Sequence, residues 1–283
     1  MGIYQNAING IIYSSLTNGG MLEPAHIAKF NKELRTNKFD SHTVFMGQNG
    51  MGKTMAALIV KSMMGKIDIA RDVIYPQTSV SELVSRITTE SNVNFLLDEL
   101  AHLFPYKRSN EMSQIALFSA IEVARANKNA FLGCCRDLLR INNNYRNGKA
   151  QLCIWLLDNN GDSSFGAVLL GSPVFEMEDK FFISSVTATY NYEQMLRQIE
   201  RLPSFIGFIE FPNVDRYVTK SQLEEYDDLK KEGIQHLGER NKRMLAFKQS
   251  KMERRELNEQ ARDSGFDMLR DRSRHGVSPY ESQ

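Results

Sequence analysis

The residues with the clearest capacity for chemistry lie at 47–54, where Gly47-Gln48-Asn49-Gly50-Met51-Gly52-Lys53-Thr54 fits the spacing G-x-x-x-x-G-K-[ST]. Glycines at those positions let successive backbone N–H groups curl toward one point and form an anion-binding nest. A helix starting at the end of the loop adds its positive N-terminal end. In such a loop Lys53 reaches the β- and γ-phosphates of ATP, and the Thr54 hydroxyl ligates Mg²⁺. A plain glycine turn that happens to carry Lys-Thr is the competing reading. Context favours the phosphate loop: the β-rich run Thr43-Val44-Phe45-Met46 lies just before it, and a helix-compatible segment from Thr54 to about Met64 follows.

About 45 residues further on, Val93-Asn94-Phe95-Leu96-Leu97 is an apolar strand that delivers Asp98 and Glu99 at its C-terminal end. In an open parallel sheet that edge is where ligands bind. Asp98 is the expected partner of Thr54 in the Mg²⁺ shell, and Glu99 the expected general base that polarises an attacking water. A second carboxylate of this kind favours hydrolysis over phosphorylation of a small molecule. The next buried run, Ala130 to Cys135, leads into Arg136-Asp137. If it lies beside the Asp98 strand, Arg136 emerges near the γ-phosphate as a sensor. Arg140 and Arg146 lie further on, where they could reach a neighbouring subunit as an arginine finger. Each arginine can also be read as a solvated surface charge. The polar segment Asn142 to Lys149 suits either a nucleic-acid backbone or an ordinary connection.

The elements that must position these groups alternate between strand and helix. After the phosphate loop and its helix comes a short strand at Asp72-Val73-Ile74-Tyr75. An amphipathic helix from Ser79 to about Thr89 follows, with Val80, Leu83, Val84 and Ile87 at helical spacing. A helix from about Ser113 to Asn127 and further buried strands at Ala130–Cys135 and Gln151–Leu157 continue the pattern. Alternation of this kind predicts an α/β fold with a mainly parallel central sheet flanked by helices. Short apolar runs at Phe165–Leu170 and Val174–Ile183 suggest an appended hairpin, and an amphipathic helix is expected from about Tyr192 to Arg201. Residues 1–40 read as a preamble, irregular at first and then a short helix from Glu23 to Arg35 with Pro24 in its first turn. The nucleotide-binding domain is expected over 41–212, and a charged helical or partly disordered tail over 213–283.

The 283-residue chain is long enough for one such domain with additions, and its apolar fraction of 42% and charged fraction of 24% are ordinary for a globular protein. A net charge of +1 points to no nucleic-acid, membrane or acidic partner by itself. The three cysteines, Cys134, Cys135 and Cys153, have no metal-ligand spacing and read as small strand residues in a reducing compartment. No apolar run approaches the roughly 20 residues of a membrane span, and no export signal is expected. Between Glu239 and Arg255, seven Lys or Arg stand against two Glu, a local excess of +5. That excess can bind phosphates by counterion release, dock on an acidic partner, or form a solvated helical face.

The order of parts resembles the FtsK/HerA superfamily of P-loop ATPases, which includes viral genome-packaging ATPases and zonular-occludens-toxin-like phage morphogenesis proteins. The resemblance covers roughly 42–210. It rests on Gly47–Thr54, the strand ending in Asp98-Glu99, the strand ending at Arg136 and the further strand near an arginine-containing turn. By resemblance, Lys53 and Thr54 take the Walker A role, and Asp98 and Glu99 the Walker B role. The family commonly has Gln at the sensor position, where this chain has Arg136. The resemblance implies a homo-oligomeric ring that binds ATP and Mg²⁺ and moves double-stranded DNA into a viral particle. It also implies a capsid or portal protein as a further partner. The location it implies is the cytoplasm, the host's if the source is viral, or the packaging vertex. A phage assembly or secretion ATPase acting on protein, and a nucleotide-dependent switch with little turnover, are the alternatives.

Overall fold

In the computed structural model, the described residues are 3–39, 41–75, 79–105, 112–171 and 192–236, with 238, 239, 242, 243, 245–247, 249 and 252 beyond them. The chain divides into a compact unit, Met1–Gly233, and a second unit, Ile234–Gln283, whose described residues are helical. The compact unit opens with helix α1 (Ile3–Thr17), strand β1 (Met21–Leu22) and helix α2 (Pro24–Thr36). Strand β2 (His42–Met46) leads to α3 (Lys53–Met64). Then come α4 (Ile69–Asp72), β3 (Val73–Ile74), α5 (Val80–Thr89) and β4 (Asn94–Leu97). After α6 (Leu100–Leu103) and α7 (Met112–Ala124), β5 (Ala130–Cys135) returns to the sheet. Next are α8 (Asn143–Gly148), β6 (Leu152–Asn159), β7 (Ser163–Leu170), a helix at Tyr192–Ile199 and β8 (Phe205–Pro212). A helical stretch over 220–236 follows.

Eight strands form one sheet in the order β1-β8-β7-β6-β2-β5-β4-β3. Every ladder is parallel except β6–β7 and β7–β8, so β7 alone runs against the others. The parallel strands are buried on both faces, as their unbroken apolar runs require. Phe45, Leu96, Leu132, Cys134, Ile154 and Leu156 join one core, which also holds α1, α2 and α3. Their neighbours Val44, Met46, Phe95, Leu97, Phe131, Cys153 and Trp155 join a second core with α5, α6 and α7. The switch at every residue is the period of two of a pleated strand.

The structure departs from the sequence reading in four places. The start of the chain, expected to be irregular, is the 15-residue α1. Asn6, Asn9 and Gly10 lower its intrinsic helix propensity. Burial of Ala7, Ile8 and Ile11 in the first core overrides that. Residues 205–212, left unassigned by the sequence reading, form β8. It pairs with β1, making the supposed preamble part of the sheet. The partners of β7 are β6 and β8, and the expected partner run at 174–183 lies outside the described residues. Finally, the compact unit runs past 212 to Gly233, with Val218 and Tyr226 buried in the first core.

One buried lysine ties the helix after the glycine loop to the strand that carries the acidic pair. Lys61 Nζ, fully buried in α3, donates to Asp72 Oδ2 at 2.7 Å and to the Asn94 carbonyl of β4 at 2.7 Å. Burial pushes the Lys61 pKa down, and the bonded Asp72 carboxylate opposes that shift. Removing one partner leaves an uncompensated buried charge. Asp72→Ala should therefore cost about 3–5 kcal/mol of unfolding free energy, measured by urea titration. Adding Lys61→Met to that variant should recover part of the loss, whereas two simply additive losses would contradict the pairing.

Candidate active site

Because β2, β4, β5 and β6 are parallel, their C-terminal ends share one sheet edge. That edge carries, in order, the end of β6 at Asn159, the glycine loop after β2, Arg136 after β5, and Asp98-Glu99 after β4. Placement of β5 between β2 and β4, although it follows both in sequence, is the topology on which the Arg136 reading depended.

The loop is shaped by its glycines and braced by the β6–β7 turn. Gly52 sits at φ 75°, and a Cβ there would lie 2.5 Å from Ser164 Oγ, so its lack of a side chain is needed for both backbone and space. Asn159 Nδ2 donates to the Gly50 carbonyl at 2.7 Å. Gln48, Asn49 and Gly50 are exposed, while Lys53 is 9% exposed and its Nζ donates to the Gln48 carbonyl at 2.8 Å. Met51 packs against the first core. Gly52 caps α3 without a side-chain hydrogen bond. The first-turn N–H groups of α3 therefore have no side-chain acceptor from the cap, as an anion-binding helix start requires.

The acidic pair meets this loop directly. Thr54 Oγ1 donates to Asp98 Oδ1 at 3.1 Å, and Tyr226 OH donates to Asp98 Oδ2 at 3.1 Å. Asp98 is 5% exposed. Burial and the Asp98 charge push the phenols of Tyr226 and Tyr75 well above their ordinary value, so both remain protonated donors. Cys134 lies against the same group. Burial first, and then the Asp98 charge, raise its thiol pKa, so it is a neutral SH and not a nucleophile.

Glu99 is partly exposed and adopts φ 61°, ψ 64°, the left-handed region. For a residue with a Cβ this conformation costs about 1–2 kcal/mol. Packing of the next residue holds it there. Leu100 is fully buried over β5, and a Cβ on Gly133 would lie 2.3 Å from Leu100 Cδ1. Gly133 thus makes room for the turn that aims Glu99.

The arginines divide. Arg136 is exposed at the end of β5, and Arg140 is exposed at the end of the 3₁₀ turn Leu138–Arg140. Arg146 falls in α8, and its side chain lies outside the described residues. The segment at 142–149, expected to be a polar loop, is mostly α8. Its Tyr145 is fully buried against His42 and Phe104 and is not available to a nucleic acid. Sequence reasoning missed Asn159, Ser164, Gly133 and Tyr226, since each acts through a neighbour distant in the chain.

Thr54 and Asp98 offer hard oxygen atoms 3.1 Å apart. That donor set suits Mg²⁺, which binds through one or two protein oxygens together with substrate phosphates and water. Among the described residues, no group of three or more His, Cys, Asp or Glu side chains is placed to hold a metal by itself. No described helix is long and apolar enough to cross a membrane.

No family model matches the chain, and no curated protein matches it. Among solved structures, the N-terminal domain of zonular occludens toxin from Neisseria meningitidis aligns at 11% identity with a TM-score of 0.38, covering 53% of this chain and 91% of its own. The genome packaging NTPase B204 from Sulfolobus turreted icosahedral virus 2, in complex with AMP, aligns at 13% identity with a TM-score of 0.34, covering 63% and 95%. The E. coli MS115-1 HORMA:CdnC:Trip13 complex aligns at 16% identity with a TM-score of 0.35, covering 64% and 65%. Likenesses of this size carry no functional weight.

Gly133→Ala tests how Glu99 is aimed. The added methyl must displace Leu100, an overpacking cost of about 1–3 kcal/mol. If the glycine loop holds ATP and Glu99 acts on the attacking water, turnover should fall while ATP affinity is retained. Unchanged turnover in a folded Gly133→Ala protein would show that Gly133 does not position Glu99.

Proposed function

We propose that this chain is a P-loop ATPase that hydrolyses ATP to ADP and phosphate. The observation that carries the reading is the Thr54–Asp98 hydrogen bond of 3.1 Å, which joins two motifs 44 residues apart at one sheet edge. In this reading the backbone of Gly47–Gly52 and the N-terminus of α3 bind the phosphates. The Lys53 ammonium leaves the Gln48 carbonyl to meet the β- and γ-phosphate oxygens. Thr54 and Asp98 hold Mg²⁺, whose charge would offset that of the phosphate oxygens when bound. Glu99 accepts a proton from the attacking water. Arg136, exposed between the loop and the acidic pair, is the proposed sensor, and Arg146 the proposed finger toward a neighbouring subunit.

We further propose that turnover is coupled to movement of double-stranded DNA by a ring of such chains, as a viral packaging motor would do. Support comes from the sequence resemblance to the FtsK/HerA superfamily and from the basic stretch at 239–255. A capsid or portal protein is the proposed docking partner, in the host cytoplasm or at the packaging vertex.

Steady-state ATP hydrolysis with and without double-stranded DNA tests both levels, with Lys53→Ala as the blank. Turnover should be present, stimulated by DNA and absent in the blank. Glu99→Gln should lose about a hundredfold or more in turnover and still bind ATP. Hydrolysis indifferent to DNA would overturn the motor and point to a protein substrate. Tight binding with negligible turnover would point to a switch, and normal turnover in Glu99→Gln would remove Glu99 as the base.

A further inference from the structure

The helix over 220–233 carries the run Glu224-Glu225-Tyr226-Asp227-Asp228, most of which faces solvent. Tyr226 is the exception. It is 1% exposed, and its hydroxyl lies 3.1 Å from Asp98 Oδ2, across 128 residues of sequence. Its placement is defined on several sides. Tyr75, just beyond β3, donates its hydroxyl to the Tyr226 carbonyl at 3.3 Å, and the two rings lie 5.9 Å apart. Gln222 Nε2 donates to the Ile67 carbonyl at 3.1 Å, and the Lys230 ammonium lies 5.4 Å from the Tyr226 ring centre. Leu223 and Leu229 add partly buried apolar contacts to the first core.

We propose that the Tyr226 hydroxyl competes with metal for Asp98, and that through it the helix over 220–233 responds to metal at the site. The proposal rests on the reading of Thr54 and Asp98 as the groups that hold Mg²⁺. A buried carboxylate must have hydrogen-bond donors, and Asp98 has one on each oxygen, Thr54 on Oδ1 and Tyr226 on Oδ2. Tyr226 OH therefore supplies the donor that a metal-bound water would otherwise supply. With a cation held by Thr54 and Asp98, the Tyr226 phenol would have to share Oδ2 with that cation and its ligands. Loss of its share in that bond weakens one of the buried polar holds of this helix on the domain, the other being Tyr75 on the Tyr226 carbonyl. Occupancy at the sheet edge is thereby communicated to the chain just before the basic C-terminal stretch.

The test uses the full chain and Tyr226→Phe, which keeps the ring and removes the hydroxyl. Two quantities are read with a fluorescent ATP analogue: its affinity in EDTA, and the Mg²⁺ concentration that gives half of the metal-dependent tightening. The affinity in EDTA should be unchanged. The Mg²⁺ midpoint should fall about fivefold, the factor that one hydrogen bond of ordinary net strength represents. In the wild-type protein, amide hydrogen exchange over 220–233 should quicken when Mg²⁺ is added to the ADP complex, and should not respond to ADP in EDTA. An unchanged Mg²⁺ midpoint in a folded Tyr226→Phe protein overturns the proposal. Amides over 220–233 that are indifferent to Mg²⁺ in the wild type overturn it even if the variant fails to fold. Nucleotide binding by the wild type with no Mg²⁺ dependence would instead overturn the metal-ligand reading, and this proposal with it.

Discussion

Helix α3 is pinned to strand β4 by two polar contacts, one near each end. At its start, Thr54 Oγ1 donates to Asp98 just beyond the strand; near its end, Lys61 Nζ donates to the Asn94 carbonyl where the strand begins. The helix therefore runs opposite to the strand, as a strand–helix–strand crossover demands. With both ends tied, it has little freedom to slide along the sheet. A sliding helix would carry the glycine loop away from Asp98. At the far end the ammonium meets two acceptors, Asp72 Oδ2 and the Asn94 carbonyl, which offset the cost of its burial. The arrangement of groups at the sheet edge depends on this registration.

Around that frame, the site is built from small concessions in packing. Gly52 leaves space for Ser164, and Gly133 leaves space for Leu100. Asn159 fixes the loop from the side opposite the acids by donating its Nδ2 to the Gly50 carbonyl. Glu99 is held in a left-handed conformation by the residue that follows it. Backbone strain of this kind persists when surrounding structure over-determines it, which suits a residue whose direction matters.

Much of this was legible in the sequence. The central strands were readable because both of their faces are buried, which leaves continuous apolar runs at 43–46, 93–97 and 130–135. The glycine loop was readable because phosphate binding, its proposed role, restricts residue types at fixed spacing. Helix α1 was not, since its stability comes from burying Ala7, Ile8 and Ile11 and not from its own propensities. Tyr226 was hidden for a different reason: it stands among four acidic residues that read as solvated, and its partner lies on another strand's exit. Asn159 and Gly133 also act through contacts that exist only once β6 and β5 have taken their places beside β2.

The proposed chemistry depends most directly on Thr54 and Asp98 acting as one metal-holding pair. Calorimetric titration of ATP into the wild type, Thr54→Ala and Asp98→Ala, each with and without Mg²⁺, measures that pair apart from turnover. The expected result is a wild-type affinity strengthened by Mg²⁺, with the Mg²⁺-dependent gain lost in both variants and the metal-free affinity retained. A wild type that binds ATP equally well with and without Mg²⁺ would contradict the account, as would variants that keep the full gain.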